Sequence, residues 1–306
     1  MDMSPHKSGF VHINGINLHY LDWDGKGETL IFLAGLGNSA HDFDRIAPRF
    51  TDRFHVLALT RRGHAESDTP ESSYNLDTLV DDILDFMDVL KIEKVVLAGH
   101  SLAGVEMTRF TEKYPERVSK LVYLDAVYDP KGRKEIMMSS PVNSIQPPIQ
   151  KSEFESVEEY IEYTKHLRPD LAQIWNEIHD TTVIYDLEKN ADGKYVEKDF
   201  SSVAGQILES VTTYDHRHAN IKVPVLWFAA ITNPIRPGYF TDEQRQAADD
   251  FHHNQWLPYQ QREIAQLKQD VPQVKVIEIS NSHHSCFISD EDLVYDEMRK
   301  FIMEQI

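Results

Sequence analysis

A serine set among small residues, with an apolar run before it and a helical pattern after it, is the strongest chemical signal in the chain. Gly99-His100-Ser101-Leu102-Ala103-Gly104 follows the run at 94–98 and opens the pattern at 102–114. Small neighbours let the backbone turn tightly enough to lift a hydroxyl above the edge of a sheet, as a nucleophile requires. An ordinary serine cap at a helix N-terminus is the plainer alternative, and the strand-turn-helix context favours the nucleophile over it. A serine hydroxyl is a weak nucleophile until an imidazole takes its proton, and that imidazole needs an acceptor on its far nitrogen. With 15 histidines, composition alone does not select the base.

Such a site needs a rigid sheet beneath it. Residues 11–13 and 18–23, separated by Asn14-Gly15, read as a hairpin with the turn chemistry that Asn-Gly supplies. Residues 29–34, 55–59, 94–98 and 120–124 read as buried strands. Helical patterns at 76–90 and 102–114 stand among them, and the alternation of strand and helix implies a parallel sheet. In the first helix Leu76, Leu79, Val80, Ile83, Leu84, Phe86, Met87 and Leu90 form one face, with Asp81, Asp82, Asp85 and Asp88 outside. The rhythm stops near Tyr128. Up to about Asn220 the chain offers Pro141, Pro147 and Pro148, amphipathic helices near 157–166 and 171–179, and an Asp192-Gly193 turn. Strands resume at 225–230 and 274–279, and a helix closes the chain over 291–305. The division expected is a core of 1–127 and 221–306 interrupted by a mainly helical cap at 128–220, inserted after the sixth strand.

These motifs together resemble the α/β-hydrolase superfamily, over nearly the whole chain apart from the insertion. The resemblance implies that family's fold, a mostly parallel central sheet flanked by helices. Ala103 stands where the second glycine of G-x-S-x-G is usual, and it is small enough to serve there. Leu33-Ala34-Gly35-Leu36-Gly37-Asn38-Ser39 is similar to the family's oxyanion loop, with Ala34 replacing a common His. By resemblance, the backbone N–H groups of Leu36 and Leu102 would hold the oxyanion. Residues 60–67, Thr60-Arg61-Arg62-Gly63-His64-Ala65-Glu66-Ser67, are similar to the family's D-x-R-G-x-G-x-S loop, with Thr60 and Ala65 as departures. Its implied role is architectural: Arg62 ties loops together, and His64 is a loop residue rather than a base.

The family places its base after the last strand, where Ser282-His283-His284-Ser285-Cys286-Phe287 stands. His284 is preferred to His283 because Phe287 follows it by the family's spacing of three. Cys286 is read as a packing residue, since no tight turn of small residues surrounds it. The acid departs from the common pattern, because Asn233 occupies the usual Asp slot after the strand at 225–230. Some lipases of the superfamily carry the acid one strand earlier. Asp125 is therefore preferred, with Asp129 or a water-assisted Asn233 as alternatives.

Lys and Arg number 31 against 50 Asp and Glu, a net charge of −19. That excess repels a phosphate backbone, and nucleic acid is not expected as a partner. One cysteine excludes an intrachain disulfide framework and a cysteine-based zinc site. His216-Arg217-His218 and His252-His253 lack a metal-binding spacing and read as surface clusters; no metal or nucleotide cofactor is expected. The longest apolar run, 223–231, is too short to span a bilayer. Asp2 and His6 lie where a secretion signal would carry apolar residues, so the expected location is cytoplasmic.

The function expected from the resemblance is cleavage of a carboxylic ester through an acyl-enzyme, with Ser101 as nucleophile, His284 as base and Asp125 as acid. The acidic surface favours a neutral, apolar ester. Trp175, Tyr160, Tyr163 and Met137-Met138 are read as lid core sooner than substrate contacts. Lactone hydrolysis, C–C bond hydrolysis and perhydrolysis use the same side chains, and a weakly active ligand-binding protein is the rival outside enzymes. A serine at the turn argues against dehalogenase and epoxide-hydrolase chemistry, which need an Asp there. Oligomeric state is not readable from the sequence.

Overall fold

The computed structural model describes residues 6–147, 150–215, 218–234 and 236–304. Pro148, His216 and Arg217 lie outside the described residues.

An eight-stranded sheet organises the chain. Its strands are β1 (Lys7–Ile13), β2 (Ile16–Asp22), β3 (Thr29–Leu33), β4 (His55–Leu59), β5 (Val95–His100), β6 (Val118–Leu124), β9 (Val225–Thr232) and β10 (Val274–Ser282). They lie in the order β1-β2-β4-β3-β5-β6-β9-β10. The β1–β2 hairpin is antiparallel, as is β2 against β4, and every later pairing is parallel. Asn14 and Gly15 close the hairpin with φ of 51° and 79°, the left-handed pair that a type I′ turn needs. Register follows from the period of two. Val95, Leu97, Leu121 and Tyr123 face one core, while Val96, Ala98, Val122 and Leu124 face the other.

Helices cover both faces. α1 (Leu76–Val89), α2 (Ala103–Lys113) and α9 (Leu257–Asp270) bury Leu79, Ile83, Phe110 and Leu267 in the first core. α11 (Glu291–Met303) buries Val294, Met298 and Phe301 in the second, beside Phe43 and Phe50. Asn75 caps α1 by accepting from the Thr78 N–H, which sets the helix start. α2 lies so close to the chain beyond β6 that a Cβ on Gly104 would stand 1.6 Å from the Ala126 carbonyl oxygen.

The segment 128–220 carries α3 (Pro130–Met138), α4 (Val157–Leu167), α5 (Pro169–Ile174), α6 (Glu177–Thr182) and α7 (Ser201–Thr213), with a small hairpin of β7 (Leu187–Lys189) and β8 (Tyr195–Glu197). Phe154, Tyr160, Ile161, Val183 and Leu187 form a third cluster with Trp175 and Tyr163 against it, so the aromatic residues serve the segment's own core. Met137 and Met138 are exposed. Two expectations are corrected here. The helix expected over 171–179 is two short helices, because Asn176 leaves helical geometry and caps α6 through a capping box. Met137 and Met138, expected in the core of this segment, are the second: both side chains are exposed, while the Asp192-Gly193 turn lies within the loop joining the short β7 and β8. α8 (Asp242–Phe251) joins α9 through a single π-helical turn at His252–Trp256, between β9 and β10, where the sequence reading placed nothing. α10 (Cys286–Ser289) precedes α11.

The Gly104 contact is with backbone, which cannot swing aside. Gly104→Ala is expected to lose about 3 kcal/mol, the upper end of ordinary overpacking costs, in urea unfolding followed by circular dichroism. A loss below about 0.5 kcal/mol, typical of surface substitutions, would show that α2 can retreat.

Candidate active site

Three parallel strands end at the same edge of the sheet, and each delivers one polar side chain. Ser101 follows β5 directly, with φ of 54°. A non-glycine residue in that region carries roughly 1–3 kcal/mol of strain, so the surroundings must hold it. Gly99 permits the turn, since a Cβ there would meet Met107 Sδ at 2.4 Å and Ala103 Cβ at 3.0 Å. Ala103 thus fits the place where a second glycine is usual. Asp125 follows β6 with φ of 51°, and its N–H is tied to the Phe228 carbonyl at 2.8 Å. His284 lies in the turn after β10.

His284 Nε2 is 2.9 Å from Ser101 Oγ, and His284 Nδ1 is 2.6 Å from Asp125 Oδ2. With Nδ1–H donating to the carboxylate, Nε2 presents its lone pair to the serine hydroxyl. Burial pulls His284 below the ordinary imidazole value of 6.5; its bond to Asp125 opposes that effect, and the charge on Arg133 adds to it. Asp125 is 2% exposed, and its second oxygen accepts from Tyr128 Oη at 2.7 Å and the Ala230 N–H at 3.1 Å. Gln260 of α9 donates to Tyr128 Oη and to the Ala230 carbonyl, both at 3.0 Å, so the acid is held from two sides.

The alternatives named from the sequence are occupied elsewhere. His283 faces Asp170 of α5 across 3.8 Å and accepts from the Ser285 N–H. Asp129 caps α3 by accepting from the Lys131 and Gly132 N–H groups. Asn233 is exposed in the loop after β9. Cys286 is fully buried, and that burial pushes its thiol well above the ordinary value.

The loop at 34–39, expected to hold an oxyanion, lies against Ser101. A Cβ on Gly35 would stand 3.3 Å from Ser101 Cβ and 3.0 Å from His100 Nδ1, so a side chain there would press on both residues. Among the described residues, neither the Leu36 nor the Leu102 N–H is bonded to a backbone carbonyl. Leu36 is partly buried and Leu102 buried.

Two residues that the sequence reading passed over hold this arrangement. Arg61, buried, donates twice to Glu106 at 2.6 Å and fastens the Gly35 and Ala34 carbonyls at 3.0 and 2.9 Å. Arg62, the residue expected to tie loops, pairs with Asp82 of α1 and donates to the Ser73 carbonyl. His100 donates Nε2–H to the His284 carbonyl at 3.1 Å, and its ring lies 4.5 Å from the His284 ring. Burial holds His100 well below the ordinary imidazole value, hence neutral. The signal for Arg61 was its neighbour Arg62 in the same loop; for His100 no sequence signal existed. His64 donates to the Arg62 carbonyl, packs on Phe200, and is pushed by burial down to about 3. It is a loop residue, as expected.

The histidine clusters need correction. His218 and His252 are buried, and burial lowers both below the ordinary value, so neither is a surface residue; His253 is exposed. A different group gathers carboxylates: the ligand atoms of His6, His41 and Asp44, and of His19, His41 and Glu66, lie within 4.8 Å of one another, close enough to hold a metal. In the structure these atoms engage each other, with His41 between Asp44 at 2.9 Å and Glu66 at 3.1 Å. Burial works against its charge, but the two carboxylates prevail and push His41 up to about 10.

Residues 28–291 match the family model described as the alpha/beta hydrolase fold. The chain belongs to this family. Among curated relatives, it is 33% identical over 115 residues to 2-(acetamidomethylene)succinate hydrolase of Mesorhizobium japonicum, covering 38% of this chain and 41% of the relative. It is 34% identical over 117 residues to a non-heme chloroperoxidase of Streptomyces lividans, covering 37% and 42%. The matched segments thus span less than half of these relatives. Among solved structures, E-2-(acetamidomethylene)succinate hydrolase superposes with a TM-score of 0.74 at 19% identity, over 98% of this chain and 100% of that one. A thioesterase domain from the curacin biosynthetic pathway gives 0.68 at 14% identity, over 96% and 99%. Both are likenesses of fold. Among the described residues no helix is long and apolar enough to cross a membrane.

Removing one partner of a buried ion pair strands the other charge. Glu106→Leu is expected to cost about 3–5 kcal/mol in urea unfolding, whereas Asp52→Ala, which removes the exposed partner of Arg299, is expected to leave the unfolding midpoint nearly unchanged. Equal losses would show that Arg61 has another anion to turn to.

Proposed function

We propose that the protein is a serine hydrolase that cleaves a carboxylic ester through an acyl-enzyme. The observation that carries this reading is the unbroken chain from Ser101 Oγ through His284 to Asp125, at 2.9 and 2.6 Å. Ser101 attacks the ester carbonyl as His284 Nε2 takes its proton. The imidazolium that forms is stabilised by Asp125, and the negative oxygen is held by the N–H groups of Leu36 and Leu102. The tetrahedral intermediate collapses, His284 delivers the proton to the leaving alcohol oxygen, and the acyl group remains on Ser101. Water, deprotonated by His284, then attacks the acyl carbonyl, and Ser101 leaves with the proton returned.

In this reading 1–127 with 221–306 form the catalytic core and 128–220 the cap. Its support is that the segment approaches the site at several points. Arg133 of α3 reaches His284, Asp170 of α5 faces His283, and Phe200, just before α7, lies beside Gly37 and His64.

Hydrolysis of p-nitrophenyl acetate, followed at 405 nm, should be abolished to background by Ser101→Ala. A phosphonate ester should add its mass to Ser101 in the wild type alone. Labelling of Ser101→Ala at an equal rate, or full turnover by it, overturns the proposal. Asp125→Asn should lower kcat by about ten-thousandfold, with Asn233→Ala near wild type; the reverse ranking would move the acid.

The base works only when neutral, so kcat/KM should fall as pH drops through the His284 value. Burial places that midpoint below the ordinary 6.5. Asp125→Asn removes the bond that opposes the lowering, so its residual activity should show a midpoint further down. A midpoint above 6.5 in the wild type would show that the bond to Asp125 outweighs burial.

A further inference from the structure

Arg133 brings a cation to the nitrogen that must accept the serine proton. Its Nη2 is 3.4 Å from His284 Nε2, the same atom that faces Ser101 Oγ at 2.9 Å. Its guanidinium stands over the Tyr128 ring, 5.5 Å from the centroid, a cation–π contact that sets its direction. The buried arginines of this chain are each matched to a carboxylate, Arg61 to Glu106 and Arg62 to Asp82. Arg133 is half-buried, and among the described residues no Asp or Glu forms an ion pair with it, in a chain with an excess of nineteen negative charges.

By itself this position does not help the chemistry. A donor aimed at Nε2 competes with the serine hydroxyl for the lone pair, and a positive charge opposes the imidazolium that the reaction must form. An anion seated on the guanidinium reverses both effects. It draws the N–H groups away from Nε2 and neutralises the charge beside the base.

We propose that Arg133 is the anchor for a substrate carboxylate, so that the preferred ester is an anion whose carboxylate lies close to the scissile bond. Separations of 2.9 and 3.4 Å link the serine oxygen to the cation through one atom. The carboxylate therefore belongs about two to four bonds from the reacting carbonyl. This departs from the neutral substrate that net charge favours, because a local cation outweighs a diffuse, screened surface charge at contact distance. The inference rests on the ester-hydrolase reading for the identity of the reaction, though not for the anion site itself.

Two ester pairs that differ only in charge test it: p-nitrophenyl hydrogen succinate against its methyl ester for the acyl side, and acetoxyacetate against its methyl ester, followed by acetate release, for the alcohol side. Wild type should favour the anion in at least one pair, by about tenfold or more in kcat/KM. Arg133→Met should reduce that preference by about 10- to 100-fold, as expected for a charge-assisted hydrogen bond, mainly through KM. Arg133→Lys should restore part of it. A preference for the neutral ester in both pairs, or an unchanged ratio in Arg133→Met of normal melting temperature, overturns the proposal. Succinate binding to Ser101→Ala by calorimetry separates the two readings. Binding that disappears when Arg133→Met is added, beside a wild type that turns over no ester, keeps the anion site and removes the ester reading. Turnover of esters with no succinate binding and no charge preference does the opposite.

Discussion

The site depends on one hydrogen bond that joins two distant parts of the chain. Ser101 and His284 are 183 residues apart, and 2.9 Å separates their polar atoms. No local interaction achieves this; the parallel sheet does. Because β5, β6, β9 and β10 run in the same direction and lie side by side, every loop that follows one of them emerges at a single edge. The serine, the acid and the histidine each occupy the first residues beyond a strand or its immediate turn. Register in the sheet is therefore register in the site, and the two cores that fix the sheet also fix the triad.

Strain at that edge is balanced by buried charge. Ser101 and Asp125 both hold positive φ, which isolated chains of these residues seldom adopt. Around them, Arg61 clamps the Ala34 and Gly35 carbonyls, His100 clamps the carbonyl of His284, and Tyr128 with Ala230 clamps Asp125. Preorganisation of this kind places donors before charge develops, which is where most electrostatic stabilisation of a transition state originates. The net charge of −19 has little part in it, since Arg61 is buried and paired with Glu106.

Much of the fold was legible because its signals are local. The strand-turn-helix around Ser101 and the Asn14-Gly15 turn read directly from residue type and spacing. The apolar face of the first helix gave α1 to within a residue of its end. What stayed hidden is what depends on distant neighbours. Asn176 breaks a helix by capping the next one, a choice between two local structures that periodicity alone does not make. α8 and α9 went unread although Leu267 and Ile264 are buried. Their remaining faces are polar, and Gln260, fully buried, looks like a surface residue until Tyr128 and Ala230 are seen beside it. His218 and His252 passed for surface residues for the same reason: burial of a neutral imidazole leaves no mark on composition.

The position of Asp125 shows how a departure from pattern can be compensated in three dimensions. The strand that usually supplies the carboxylate, β9, instead supplies a backbone donor, the Ala230 N–H, to a carboxylate carried by the adjacent strand β6. The exchange requires Asp125 to turn back through a left-handed conformation while its own N–H bonds to Phe228 of β9, so the two strands are tied twice at the point of exchange. It also requires a side chain below to absorb the second carboxylate oxygen, and Tyr128, three residues on, reaches it with its hydroxyl. Asn233, exposed in the loop after β9, takes no part in these bonds; the carboxylate that His284 meets is carried one strand away.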